Sequence, residues 1–238
     1  MKTVSASPSE KPADHRPRVA AERRKRMRKR LLECAMVVFA QGGITSSLVQ
    51  DIVTMAGVSP GSFYHYFNTN EDLFHALAEE LSNEIVGMIA SVVEGVDDPA
   101  LRMAMAIRSY LHLMRSYQVV AQFVANSGFR LVNNTSIAYD YLPRDLRAAQ
   151  KQGSFDTGPI NVAVDLIGGA GLMAIYRMAY GKTPKNYPEQ VTGLILRSLG
   201  SSAADTAELL KVPLPKLTAL PDSLFVLAQA RLVASGAE

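Results

Sequence analysis

The sequence predicts an all-α fold, with a small three-helix unit at the N-terminus and a larger helical portion behind it. Three observations carry this expectation. Apolar residues recur at steps of three and four along most of the chain, and no strand-like alternation persists. Glycines and Ser/Thr caps cut that pattern into helix-sized lengths. Apolar residues make up 48% of the 238 and charged ones 20%, a balance suited to a packed interior. The length accommodates one large or two small domains.

Taken in order, residues 1–21 are polar, proline-containing and aperiodic over most of their length, and read as a disordered basic tail. A helix is predicted from about residue 22 to 41, with Met27, Leu31, Ala35, Val38 and Phe39 forming one buried stripe. Gly42-Gly43 ends it. Ser47 suits the cap of a second helix, with Gln50 completing a capping-box pattern and Val49, Ile52, Val53 and Ala56 facing inward. Gly57 stops that helix. Ser59 caps a third, with Pro60 at its first position. Thr69 caps a fourth, with Glu71 and Asp72 in its first turn. That fourth helix is expected over about 71–95, with further helices near 99–117, 118–128, 136–152, 159–180, 188–200, 203–211 and 221–234, and Pro143 placed to kink or delay its helix.

Charge is unevenly distributed. Residues 1–30 hold eleven Lys/Arg against three acids, and the remainder holds fourteen against nineteen. The run RRKRMRKR at 23–30 places seven cations in eight positions, and no Lys or Arg follows until Arg102. A basic stretch before an apolar one also suits an export signal, but Glu33 interrupts the apolar run and no cleavage site follows. No membrane span is expected, since no run of about 18 apolar residues exists. The single cysteine, Cys34, excludes an intrachain disulfide, fits a reducing cytoplasm and reads as an inert core residue. No catalytic constellation, phosphate loop or metal-ligand spacing is present, so neither an enzyme, a cofactor nor a metal site is expected.

Residues 47–67 read as two short helices joined by a glycine turn, the helix-turn-helix whose second helix enters a DNA major groove. The segment RLLECAMVVFAQGGITSSLVQDIVTMAGVSPGSFYHYFNTNEDLF, residues 30–74, resembles the N-terminal DNA-binding domain of the TetR family of bacterial transcriptional repressors. The resemblance rests on L-x-x-x-A-x-x-x-F from Leu31, the glycine pair, Ser-x-x-Gln-Asp-Ile, Ala-Gly-Val-Ser and F-Y-x-Y-F. It implies a helix-turn-helix DNA-binding domain at 22–70 and a helical effector-binding and dimerisation domain at 71–238. It also implies a cytoplasmic homodimer, nucleoid-associated when bound, that leaves a palindromic operator when a small molecule enters. Ser47, Ser62, Tyr64, His65 and Tyr66 fall where that family contacts DNA. Two departures concern phosphate contacts: Pro60 stands where the family usually carries Lys or Arg, and Asn70 where it usually carries Lys.

Such a neutral reading head needs another source of attraction. Ser59, Ser62, Tyr64, Tyr66 and Asn70 can donate hydrogen bonds to phosphates, and Gly61 leaves room for close approach to the bases. His65 and Ser62 are the candidates for base edges. Long-range pull is assigned to Arg23, Arg24, Lys25, Arg26, Arg28 and Lys29, acting as a basic arm. In the C-terminal portion Gly168, Gly169 and Gly171, with Leu194, Ile195 and Leu199, resemble the family's paired-helix dimer seam. His112, Met114, Phe123, Asn126, Phe129, Tyr141, Met173 and Arg177 have the mixed makeup of a small-molecule pocket, without naming the effector. A proline-containing linker and a final amphipathic helix follow residue 211, with no role assigned. The competing function is a DNA-bound architectural or cell-division factor that needs no ligand.

Overall fold

The computed structural model describes residues 15–42, 48–131 and 138–235, and every regular element among them is helical. The first helix, α1 (His15–Gly42), runs 28 residues without interruption. It therefore begins inside the stretch expected to be a disordered tail; residues 1–14 lie outside the described residues. Helices α2 (Leu48–Ala56), α3 (Pro60–Tyr64) and α4 (Asn70–Val93) complete the N-terminal unit. The remainder comprises α5 (Pro99–Ser116), α6 (Gln118–Ser127), α7 (Ala138–Gln152), α8 (Ile160–Tyr180), α9 (Tyr187–Ser198), α10 (Ala203–Lys211) and α11 (Leu224–Ser235).

Caps fix several of these starts. Ser59 Oγ accepts from the Ser62 N–H, Thr69 Oγ1 from Asp72 N–H, Asp98 Oδ1 from Ala100 N–H and Ser202 Oγ from Asp205 N–H. Gly57 closes α2 at φ +63°, the left-handed conformation that costs glycine nothing, and its N–H reaches Thr54 O at 3.1 Å. Pro143 lies inside α7. There α7 is held to α5 by a two-pronged Arg102–Asp145 pair at 3.0 Å on each prong, with Arg102 also donating to Val96 O.

The buried half of α1 departs from the single stripe expected. Residues 31–40 are all buried, Glu33 included. The reason is that α2, α4, α6 and α11 surround this half, so a helix apolar on most sides finds cover on every side. Phe39 of α1, Phe74 of α4 and Phe123 of α6 meet as a triangle of rings 5.8 to 6.0 Å apart. This triangle joins the N-terminal unit to the rest. A second core cluster gathers Met103, Leu146, Phe155, Ala163, Ile167, Ile195, Leu196 and Leu199 between α5, α7, α8 and α9.

Among the described residues, α8 alone is long and apolar enough by composition to cross a bilayer. The expectation of no span considered unbroken apolar runs, whereas α8 qualifies on average hydropathy. Its apolar residues divide between packing against α5, α6, α7 and α9 and one exposed face.

Candidate nucleic-acid interface

The aromatic run Phe63–Phe67 divides by side. Phe63 is fully buried and Phe67 nearly so, their rings 5.8 Å apart. Tyr64 is 56% exposed and stands edge-on to Phe63. His65 is exposed and Tyr66 half-buried, with one side on the core. One short helix thus anchors itself with two phenylalanines and presents a phenol and an imidazole outward. Ser59, Pro60 and Gly61 are exposed beside them. The Ser59 and Ser62 hydroxyls lie 3.2 Å apart, so the cap is shared between them. Ser47 lies outside the described residues. Asn70, half-buried at the start of α4, keeps a shielded Oδ1 without a partner.

The basic run lies within α1, as the helix expected from about residue 22 places it. Arg23, Arg24, Lys25 and Arg26 are exposed on α1 itself, on the same unbroken helix as the buried residues 31–40. Arg23, Arg24, Ala20 and Met27 share with Ser62, His65 and Tyr66 a cleft of about 500 Å³. Two members of the run are committed elsewhere. Arg28 pairs with Glu80 at 2.9 Å and lies 5.6 Å over the Phe67 ring; Lys29 donates to the Asp222 carbonyl. Both were expected to hold phosphates, and both instead tie α1 to neighbouring segments. Arg30, the last cation of the run, is exposed with its guanidinium beside the Gly57 turn, 3.4 Å from where a Cβ there would sit.

The residues expected to form a pocket do not converge. Met114 and Phe123 are fully buried core. Asn126 donates to Phe39 O and Ala40 O and accepts from the Tyr180 hydroxyl, so it caps the end of α1. Tyr141 lies beneath Arg144, while Met173 and Arg177 are exposed on α8. The Phe129 side chain lies outside the described residues. His112 lines a cleft, and its companions there are residues the sequence did not single out. Arg108, Ser109, Leu113, Tyr117, Glu189, Leu214 and Leu217 surround about 390 Å³ with it. His112 Nε2 donates to Glu189 Oε1 at 2.7 Å, and Arg108 Nη2 lies 3.6 Å from the same oxygen. Burial would raise the Glu189 carboxyl, but the His112 hydrogen bond, a backbone hydrogen bond and the adjacent charges together hold it below its ordinary value.

The expected dimer residues divide as well. Ile195 and Leu199 are buried in the chain's own core, a correction that follows from their place on the inner face of α9. Leu194 is 67% exposed, Gly168 and Gly169 are exposed, and Gly171 is half-buried. A Cβ on any of these three glycines would meet nothing of its own chain within 4 Å. Cys34 is fully buried, and burial pushes its thiol up, as an inert core residue requires.

Residues 31–77 match the family described as bacterial regulatory proteins, tetR family, and residues 98–211 match the tetracyclin repressor-like C-terminal domain. The chain belongs to the TetR family. This TetR-family chain is a DNA-binding transcriptional regulator, with the all-α, two-part architecture of that group. It is 26% identical over 186 residues to the transcriptional repressor KstR2 of Rhodococcus jostii, covering 73% of this chain and 91% of that protein. Over 76 residues it is 33% identical to the repressor DhaR of a Mycobacterium species, 32% of this chain and 38% of that one. The structure of RolR in complex with resorcinol superimposes with a TM-score of 0.64 at 25% identity, covering 83% of this chain and all of RolR. Members of the family bind operators and small-molecule effectors as dimers. The final segment of this member, beyond residue 211, lies outside both family matches.

Proposed function

We propose that this TetR-family regulator is a repressor that grips a near-palindromic operator as a dimer and releases it when a small molecule binds the C-terminal portion. The carrying observation is the shared cleft of Arg23, Arg24, Ser62, His65 and Tyr66. Cations from α1 and the outward face of α3 meet there, so a single duplex engages both. His65 and Ser62 read base edges in the major groove. Tyr64 and Ser59 donate to phosphates, and Arg23–Arg26 neutralise the backbone or enter the adjacent minor groove. The neutral Pro60 and Asn70 are offset by the cations of α1 that share the cleft with α3. The reading head spans 22–70, lengthened toward His15 by the helical arm. Residues 71–238 sense and pair. The protein works in the cytoplasm, on the nucleoid.

Pairing uses the outward face of α8. Val162, Leu166, Met173, Tyr176 and Tyr180 are each 41–55% exposed and recur at helical spacing, and Leu194 of α9 extends the patch. Exposed glycines at 168 and 169 on this apolar helix fit a partner helix approaching closely, since nothing in their own chain requires them. KstR2 and DhaR are named as repressors, which favours repression here over activation. RolR was captured with resorcinol, so small aromatics are the first effector class to try.

Selection of genomic fragments by the purified full-length protein, followed by footprinting, tests the reading. A protected near-palindrome, lost on adding effector, is expected. Failure to enrich any fragment at low salt would overturn it.

A further inference from the structure

The 390 Å³ cleft is closed on one side by residues 212–223, the segment that precedes α11. Leu214, Pro215 and Leu217 of this strap face Arg108, Ser109, His112, Leu113, Ser116 and Tyr117 of α5 and its end, and Glu189 of α9. Two polar groups there are fully or nearly fully buried and unsatisfied: Arg108, 6% exposed, has an unpartnered Nε–H, and Ser109, 0% exposed, an unpartnered hydroxyl. Buried polar atoms left without partners are costly, and these two belong to residues in the wall of the cleft. Arg108 also holds the strap directly, its Nη1 donating to Val212 O at 2.8 Å.

The strap is fastened where DNA reading is organised. Its continuation, α11, docks on α1, α4 and α6. The Leu224 N–H donates to the Glu84 carboxylate of α4, and Arg231 donates to Glu33 of α1 at 3.1 Å. Val119 N–H of α6 donates to Gln229, and Lys29 reaches the Asp222 carbonyl. Tyr117 belongs to both ends: it lines the cleft and packs edge-on against Phe225 of α11, 4.7 Å away.

We infer that this strap-closed cleft is the effector site, that it takes a small molecule bearing a hydroxyl on an apolar body, and that α11 carries its occupancy to α1. The chemistry selects the hydroxyl. Arg108 Nε–H calls for an acceptor while the ionised Glu189 calls for a donor, and one hydroxyl supplies both. A carboxylate would oppose Glu189. Leu113, Leu214, Leu217 and Tyr117 cover the apolar body, and the volume sits toward the small end of ligand pockets. A ligand oxygen that draws the Arg108 Nε–H toward itself turns the guanidinium whose Nη1 holds Val212 O, so binding alters the strap. That differential contact lets occupancy shift the docked helix.

The inference rests on the regulator reading, and its test separates the two. Full-length protein is titrated with 4-ethylphenol, its methyl ether 4-ethylanisole, and 4-ethylbenzoate. Strap dynamics are read by hydrogen exchange over residues 212–235, and operator affinity is read separately. The phenol is expected to alter exchange of the strap and α11 saturably, with the ether and the carboxylate at least tenfold weaker. S109A should weaken the phenol tenfold, L217W should block it by filling the cleft, and R231Q should keep phenol binding while losing its effect on the operator. Circular dichroism confirms that each variant folds. No saturable, hydroxyl-dependent change in the strap, or a change untouched by L217W, overturns the inference. If the operator is bound and released by a compound that ignores both substitutions, the regulator reading stands without this site. If no operator is bound at all, that reading falls, and the strap response still decides this one.

Discussion

Phe63 and Tyr64 are neighbours with opposite duties, and single substitutions separate them. Phe63→Ala removes a fully buried ring and should cost about 3–5 kcal/mol of stability, measured by denaturant unfolding. Tyr64→Ala removes a ring that is 56% exposed. It should leave the unfolding midpoint nearly unchanged while weakening operator binding roughly tenfold, through a lost hydrogen bond to a charged phosphate. Glu189 offers a pH signature. Its carboxyl is held below the ordinary 4.5, chiefly by His112 working against burial. Its contribution to stability is therefore present above that pH and is lost as pH falls through the depressed folded value. Glu189→Gln should accordingly be less stable than the parent near neutral pH, with the gap closing as pH falls below the ordinary carboxylate range, as followed by thermal unfolding across a pH series. A gap that persists undiminished at low pH would assign the effect to packing.

At the level of elements, the basic arm lies within α1, as the helix expected from about residue 22 places it, and that sets what its removal should do. Arg23→Gln with Arg24→Gln should flatten the salt dependence of operator binding by about 1.8 in slope, two phosphates' worth at about 0.9 each. Lys29→Gln should leave the slope unchanged, because that ammonium is spent on the Asp222 carbonyl. Most elements were legible beforehand, because their signals are local: Ser59 and Thr69 as caps, Gly57 as a stop, Pro60 at a first turn. The division of the aromatic run follows from the four-residue step between its two buried rings, Phe63 and Phe67. Arg28 and Lys29 were not, because their partners Glu80 and Asp222 lie about 50 and 190 residues away in sequence. Local patterning carries no record of such contacts. The start of α1 was missed for another reason: a polar helix extended from a packed one needs no apolar stripe of its own.

For the molecule as a whole, the apolar face of α8 demands a partner of the same kind. Met173→Glu combined with Leu194→Arg should convert a dimer to monomer by light scattering, and operator affinity should fall with it, since two half-sites then bind independently. The sequence pointed to this region through its glycines but assigned Ile195 and Leu199 to the wrong side, as spacing alone does not say which of two buried faces looks inward. The pocket was the least legible part: six of its eight expected members proved to be core, cap or surface, because mixed composition is shared by all three. The continuity of α1 has one more consequence. From Phe39 to His15 it is a rod about 36 Å long at 1.5 Å per residue. Pivoting that rod by ~10° about its enclosed end displaces the free tip by roughly 6 Å, the width of a minor groove. A slight rocking at the base would unseat the tip altogether, so release can be abrupt without any contact at the reading head becoming intrinsically weaker.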